Sequence, residues 1–395
     1  MKAPEGFDHR EWWFGIKMAR AALLRPLPLL DKNGRPFRFA MVDPLLEMQH
    51  RIDSDASVRL VGPHGPLSAK TRDRYILSSL MEESITSSQL EGAATTRKVA
   101  KQMLSEGRKP RNHSERMIFN NFQTMQWIRE QTDQELTPEL VFDLHRRMTE
   151  GTLDDPGAAG RFRTDEENIV VAYGGETYHE PPAATELPVR LDKLCAFANG
   201  KSPDYFVHPV VRAVLLHFWL AFDHPFVDGN GRTARALFYW SMLSQGYGVC
   251  EFLPISRKIK EAPARYARAY LYSESDEGDL TYFLLYHVDV LQRALVDLGG
   301  YLRTSSTERR SLEERLAAGV DLNHRQKELL AHALKHPDEQ YTIAIHRTRQ
   351  RVVYQTARAD LLELHRLGLL EKRRSKKAFY FMPSVDLEDR IRELR

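Results

Sequence analysis

The sequence predicts a mainly helical protein, a helix bundle carrying one small β-hairpin, followed by a compact C-terminal unit of helices and a strand pair. Three observations lead there. Apolar residues recur at three- and four-residue spacing through most of the chain as far as Gly299, the period of a half-buried helix face. One stretch, Asp154 to Tyr178, breaks that period with glycines around the short β-branched run Asn168 to Tyr173. Beyond Gly319 the pattern shortens into brief helical segments and ends on Leu370 to Met382, which reads as a pair of strands.

Taken in order, Trp12 to Leu30 and Asp73 to Leu104 read as helices, with the breakers of residues 62–66 between them as an exposed connection. Met117, Ile118, Phe122, Met125, Trp127 and Ile128 define a helix over Ser114 to Glu130, and Thr137-Pro138-Glu139 has the N-cap and first-turn proline of another. The run Asn168 to Tyr173 is the only strand signal before the C-terminal unit. Helices resume over Leu191 to Ala198, His208 to Phe222, Thr233 to Gln245, Pro263 to Ser273 and Leu280 to Gly299. In the last unit, Asn323 to Lys335, Ala344 to Arg351 and Val353 to Leu367 are expected helices, with a short strand at Tyr341 to Ile343. The expected divisions are therefore 1–110, an N-terminal helical region; 111–303, the core; 304–319, a polar helical connector; and 320–395, a C-terminal domain.

Composition sets the limits. With 395 residues, 42% hydrophobic and 28% charged, the chain has apolar material for a folded core and no sign of wholesale disorder. A net charge of +3 points away from nucleic-acid binding by the chain as a whole. Cys195 and Cys250 are too few for a disulfide framework and read as buried small hydrophobes in a reducing compartment. The longest apolar stretch, Ala213 to Phe222, is interrupted by His217 and spans half of the roughly 20 residues a membrane helix needs. The N-terminus lacks a secretory signal, so a cytoplasmic protein with no membrane partner is expected.

Residues 224–235, HPFVDGNGRTAR, carry the chemistry. A helix ending at His224, a glycine-containing loop and a second helix opening at Arg232 would direct several backbone N–H groups at one point, an anion cradle. Gly229 and Gly231 let the backbone approach a phosphate closely, and Arg232 and Arg235 lie three apart on one helix face. Asp228 is the one carboxylate inside the loop, a hard ligand suited to Mg²⁺ against phosphates. His224 stands at the loop entrance with a near-neutral pKa expected, suited to take a proton from a hydroxyl. No HExxH, nucleophile elbow or Cys/His cluster competes with this reading.

These residues resemble the Fic family, whose motif HPFx(D/E)GNGRxxR is matched at all nine specified positions. The resemblance extends over roughly 75–300 through Leu144-His145-Arg146, Gly160 to Arg163, Pro181-Pro182 and His208-Pro209. It implies a Fic helical bundle with a β-hairpin flap, binding ATP with Mg²⁺ and transferring AMP to Ser, Thr or Tyr hydroxyls of a target protein. By the same resemblance His224 would be the general base, Asp228 the metal ligand, and Phe226, Gly229, Asn230, Gly231, Arg232 and Arg235 the nucleotide site. Ser87 to Gly92 match the family's inhibitory motif (S/T)xxxE(G/N), so Ser87, Glu91 and Gly92 would form an inhibitor in which Glu91 pairs with Arg235. Ile169, Val170 and Val171 would belong to the flap that holds the target by backbone pairing. A role for Glu91 in AMP removal stays open, and so does a homodimer, common among inhibited relatives.

The C-terminal segment 354–381 resembles the recognition helix and wing of winged helix-turn-helix domains. From 323 to 383 there are 13 Lys or Arg against 6 Asp or Glu, a local balance of about +7. Arg347, Arg349, Arg351 and Arg358 flank the expected recognition helix, and Arg373, Arg374, Lys376 and Lys377 the wing, so DNA is a possible partner. The alternative function is a DNA-binding regulator whose Fic-like core only senses nucleotide.

Overall fold

The computed structural model describes residues 3–56, 69–173, 176–318, 322–337, 339–375 and 378–393. The breakers at 62–66, the expected boundary at Gly319 and the wing residues Lys376 and Lys377 lie outside them. The chain divides into two compact units, one of residues 1–58 and 76–296, the other of 59–75 and 297–395.

The first unit opens with α1 (His9–Ala21), started by a capping box in which the Asp8 carboxylate accepts the Arg10 and Glu11 N–H groups. The helix expected to continue to Leu30 stops there. Residues Leu24–Leu30 form β1, antiparallel to β2 (Pro36–Ala40), so a hairpin precedes the one expected at 168–173. Pro26 and Pro28 have no N–H and would clash with a helical backbone, whereas an edge strand tolerates both. Alternation then buries Leu27 and Leu29. The turn is closed by the Asp31 carboxylate, which accepts the Asn33 and Arg35 N–H groups.

Next come α2 (Asp43–Ala56), α3 (Ala69–Leu90) and α4 (Arg97–Glu106). The single helical stretch expected over 73–104 is thus broken after Leu90, where Gly92 takes φ +94°. Helices α5 (His113–Arg129) and α6 (Pro138–Thr149) follow, the latter capped by Thr137 as its sequence predicts. The hairpin β3 (Val171–Tyr173) and β4 (Glu176–His179) leads to α7 (Leu187–Ala198), α8 (Pro209–Asp223), α9 (Asn230–Ser244), α10 (Ile255–Lys260), α11 (Pro263–Ser275) and α12 (Thr281–Ala318). Every residue of α8 except Pro209 and Ala221 is buried, the polar Arg212, His217 and Asp223 included, and α9 packs beside it. This central pair carries the motif between its two members. Cys195 and Cys250 are both buried and unpaired.

The polar segment 304–318 is the end of α12, continuous with the helix that begins at Thr281. In the second unit, α13 (His324–Lys335) is opened by an Asn323/Gln326 capping box. Tyr341 exchanges both backbone hydrogen bonds with Phe381, and α14 (Ile343–Gln350) and α15 (Tyr354–Arg366) follow. The hairpin β5 (Leu370–Ser375) and β6 (Ala378–Pro383) precedes α16 (Leu387–Glu393). Leu330, Leu361, Leu364, Phe381 and Ile391 share its core. The buried Asp360 carboxylate collects Asn323 and Arg325 from the start of α13 and His346 from α14, and Arg325 heads the causes that overcome its burial and hold it below the usual aspartate range. No helix among the described residues is long and apolar enough to cross a membrane.

Candidate active site

The motif occupies the turn between α8 and α9. His224 caps α8 in the left-handed conformation, φ +45°, with its N–H donated to the Leu220 carbonyl at 3.0 Å. Its Nδ1 lies 3.2 Å from the Ala221 carbonyl. A carbonyl only accepts, so Nδ1 carries the proton and Nε2 is left with its lone pair. Burial pushes the ring down to about 4, against the near-neutral value expected from sequence, because charging it would cost solvation that the surroundings do not return. The imidazole is therefore neutral throughout the physiological range, with the Nε2 lone pair unprotonated.

The loop is locked by its own residues. Asn230 Oδ1 accepts the Phe226 N–H at 2.9 Å while Asn230 Nδ2 donates to the Phe226 carbonyl at 2.7 Å. Phe226 is fully buried, stacked on the His145 ring at 3.7 Å. Both residues were expected at the nucleotide. Their side chains hold the loop, Phe226 as an anchor in the core and Asn230 through one acceptor and one donor on the Phe226 backbone. Gly229 caps the start of α9 at φ +81°, and a Cβ there would meet Thr149 Cγ2 at 2.7 Å. The helix opens at Asn230, two residues before the expected start.

His145, which sequence reasoning left outside the site, supports this turn from α6. Its Nδ1 accepts the Gly160 N–H at 2.9 Å, so its Nε2–H donates to the Asp228 carbonyl at 2.8 Å. Burial lowers it to about 4, which keeps that tautomer neutral. Arg163, also missed, is buried with its guanidinium on the carbonyls that end α8. Neither carried a distinguishing signal beyond its place in a quoted resemblance, since each acts on backbone far along the chain.

The Asp228 carboxylate is half exposed, with Oδ2 at 3.2 Å from Arg232. Arg232 and Arg235 are 1% and 2% exposed, which removes any reading of them as surface charges. Arg232 donates to the Met148 carbonyl and to Asp228, while its buried Nε has no partner. Arg235 donates Nε to Ser87 Oγ at 2.8 Å and one terminal nitrogen to both the Ser87 carbonyl and Glu91 Oε1, at 3.0 and 2.8 Å. Ser87 sits in the last turn of α3, and Glu91 and Gly92 lie just past its end. Burial alone would raise the Glu91 carboxyl. The Arg235 charge and hydrogen bond, with Arg232 and His224 behind them, outweigh it and hold Glu91 below the usual range. Against Gly231, a Cβ would run into the Glu91 carboxylate, its Cδ 2.8 Å away.

The structure thus brings His224, the loop 226–231, Arg232, Arg235, Ser87 and Glu91 together. Ile169 and Val170 fall outside the strands. Asn168, at φ +48°, turns the chain, and pairing starts at Val171, opposite His179. No group of three or more His, Cys, Asp or Glu arranged for a metal occurs among the described residues, so a cation here would depend on Asp228 and on its ligands' own oxygens.

A neutral histidine capping one buried helix and a glycine-containing turn with two buried arginines opening the next form one helix–loop–helix site. Residues 135–242 match the model of the Fic/DOC family. It is 24% identical over 257 residues to the protein adenylyltransferase Fic of Nematostella vectensis, an alignment covering 63% of this chain and 55% of the relative. With the protein of the same description from Drosophila virilis it shares 30% identity over 161 residues, 41% of this chain and 30% of the relative. The chain thus spans about half or less of the length of these curated relatives. Among solved structures, a Fic family protein from Desulfovibrio desulfuricans superposes with a TM-score of 0.58 at 16% identity, over 88% of this chain and 97% of that one. Fic-1 of C. elegans gives 0.51 at 19%, over 66% and 72%. At these identities the two structures speak for the fold.

Proposed function

We propose that the chain is a protein adenylyltransferase that moves AMP from ATP onto a Ser, Thr or Tyr hydroxyl of a target protein, held inactive by Glu91 on Arg235. One observation carries the reading: in the loop that follows His224, whose Nε2 keeps its lone pair, a carboxylate already lies against Gly231 and Arg235, as phosphate oxygens would. The residues fit the nucleotide. The unpartnered Nε of Arg232 is a buried donor awaiting an acceptor, and the cradle at Gly231 has no room for a side chain.

In this reading Gly231, Arg232 and Arg235 hold the phosphates, and the exposed Asp228 carboxylate holds Mg²⁺, which when bound neutralises phosphate charge. His224 Nε2 takes the hydroxyl proton as the oxygen bonds the α-phosphorus, and the bond to the leaving pyrophosphate breaks. The hairpin begun by Val171, with exposed Val170 before it, offers backbone groups to an extended target segment. The test is transfer of label from α-labelled ATP, with Mg²⁺, to the chain itself and to added protein, by wild type, Glu91→Gly, and Glu91→Gly with His224→Ala. Label is expected in the relieved form and lost without His224. No label from Glu91→Gly despite ATP binding would overturn the assignment.

A second surface rests on its own observation. Arg347, Arg351, Arg358, Lys372, Arg373 and Arg374 are all exposed around α14, α15 and the β5–β6 hairpin, and we propose that this unit is a winged helix that contacts DNA phosphates. Affinity for duplex DNA should fall steeply with added salt, and no binding at low salt would refute it.

A further inference from the structure

Two side chains from outside the motif grip the turn that carries His224. Arg163, ahead of the β3–β4 hairpin, donates Nε to the His224 carbonyl at 2.8 Å and reaches the Asp223 carbonyl at 3.5 Å. Its own N–H goes to the Pro225 carbonyl at 2.9 Å. His179, the last residue of β4, places Nε2 at 2.7 Å from the Phe222 carbonyl, with its ring tilted against the Phe222 ring at 4.7 Å. The segments entering and leaving the hairpin therefore end on three successive carbonyls, those of Phe222, Asp223 and His224. A helix end leaves such carbonyls without intrahelical donors, so these contacts fix where the last turn of α8 points.

His179 has the stronger leverage. Its Cα is in register with Val171, so holding it holds the base of both strands. Its other nitrogen, Nδ1, lies 2.8 Å from Glu274 Oε2 on α11. The ring is clamped between two oxygens on different helices, and its orientation is set from both sides.

We infer that His179, clamped between the Glu274 carboxylate and the Phe222 carbonyl, is a positioning residue that ties the hairpin to the turn bearing His224. A hydroxyl carried by a segment docked on the hairpin then meets Nε2 at a set separation. This rests on the reading of His224 as base and of the hairpin as docking strand. Misplacing one partner of a proton transfer by about 1 Å costs on the order of 100-fold in rate, so the tie has a measurable consequence.

The experiment uses the full chain with Glu91→Gly as parent and adds His179→Ala, His179→Gln or Glu274→Gln. Self-labelling from α-labelled ATP gives the rate, and calorimetry gives the Mg-ATP affinity. His179→Ala should slow labelling on the order of 10- to 100-fold with ATP affinity unchanged. His179→Gln, whose amide can still donate to the Phe222 carbonyl, should recover most of it, and Glu274→Gln should fall between. Labelling within about twofold of the parent in His179→Ala overturns the inference. So does a loss that ATP affinity shares and that His179→Gln leaves uncorrected. If the parent does not label, the base assignment has failed instead, and the tie is read by hydrogen exchange. His179→Ala must then speed exchange of both the β4 amides and the His224 N–H, and an effect confined to the hairpin overturns it.

Discussion

Under the proposed function the Glu91–Arg235 pair makes inhibition and stability draw on the same free energy, and Glu91→Gln reads out both. Glutamine keeps an oxygen for the Arg235 terminal nitrogen and removes the charge. Arg235 is 2% exposed and retains its bonds to Ser87, while the Glu91 side chain is 26% exposed. Breaking a fully buried pair by removing one charge costs about 3–5 kcal/mol, and an exposed pair about 0–1. The retained Ser87 contacts and the partial exposure set this one between, at about 2 kcal/mol. The variant should unfold at lower urea concentration by that amount. The released guanidinium becomes available to a γ-phosphate, so Mg-ATP should bind more tightly by up to the same energy, roughly 30-fold. ADP, with no γ-phosphate, should gain much less. Calorimetry with both nucleotides on wild type and variant is the assay. Equal ATP affinities, or equal gains for ATP and ADP, would refute the idea that Glu91 withholds Arg235 from the nucleotide. Because the folded-state Glu91 carboxyl is depressed, the pair is fully formed above the ordinary carboxylate pKa and is lost only as pH falls through the lowered value. Inhibition should therefore persist unchanged across neutral pH.

Three further outcomes follow from the site. In the Glu91→Gly form, kcat/KM should hold on the acid side down to about pH 4, where His224 gains its proton, and removing Glu91, whose charge raises that ring, moves the limit lower still; an acid limb near the ordinary histidine value of about 6.5 would contradict the burial argument. Asn230→Ala should strip partners from both the Phe226 N–H and carbonyl and cost about 2–4 kcal/mol by urea unfolding, with label transfer lost alongside. Gly229→Ala should destabilise through its positive φ and the Thr149 methyl, and adding Thr149→Ser should recover only the part due to that 2.7 Å approach, a difference measurable by thermal unfolding.

The central helix and the loop after it were legible because each depends on residue types at short, fixed spacing. A run such as Ala213 to Phe222, apolar except for His217, is fit only for burial, and a His-Pro-Phe followed by glycines and two arginines has few other uses. The N-terminal hairpin was not legible in the same way. Leu24, Leu27 and Leu30 are three apart and imitate a helix face, and the prolines between them were the contrary signal that spacing alone passed over. The pairing partner, Pro36–Ala40, is defined by a sheet contact that no local period announces. His145, Arg163 and His179 escaped for a related reason. Each acts on a main-chain carbonyl 43 or more positions away, so their value exists only after the chain has folded.

The loop itself shows where a motif stops being informative. Sequence treats its nine matched residues as equivalent members of one site, yet folding divides them. Phe226 and the Asn230 side chain are consumed in closing the turn, and Gly229 supplies a conformation. What remains for a ligand is the Nε2 lone pair of His224, the exposed Asp228 carboxylate, the surface of Gly231, the free Nε of Arg232 and whatever Glu91 relinquishes of Arg235. Substitutions in the first group should appear first as lost stability and those in the second as lost transfer in a well-folded chain, a division that spacing alone could not supply.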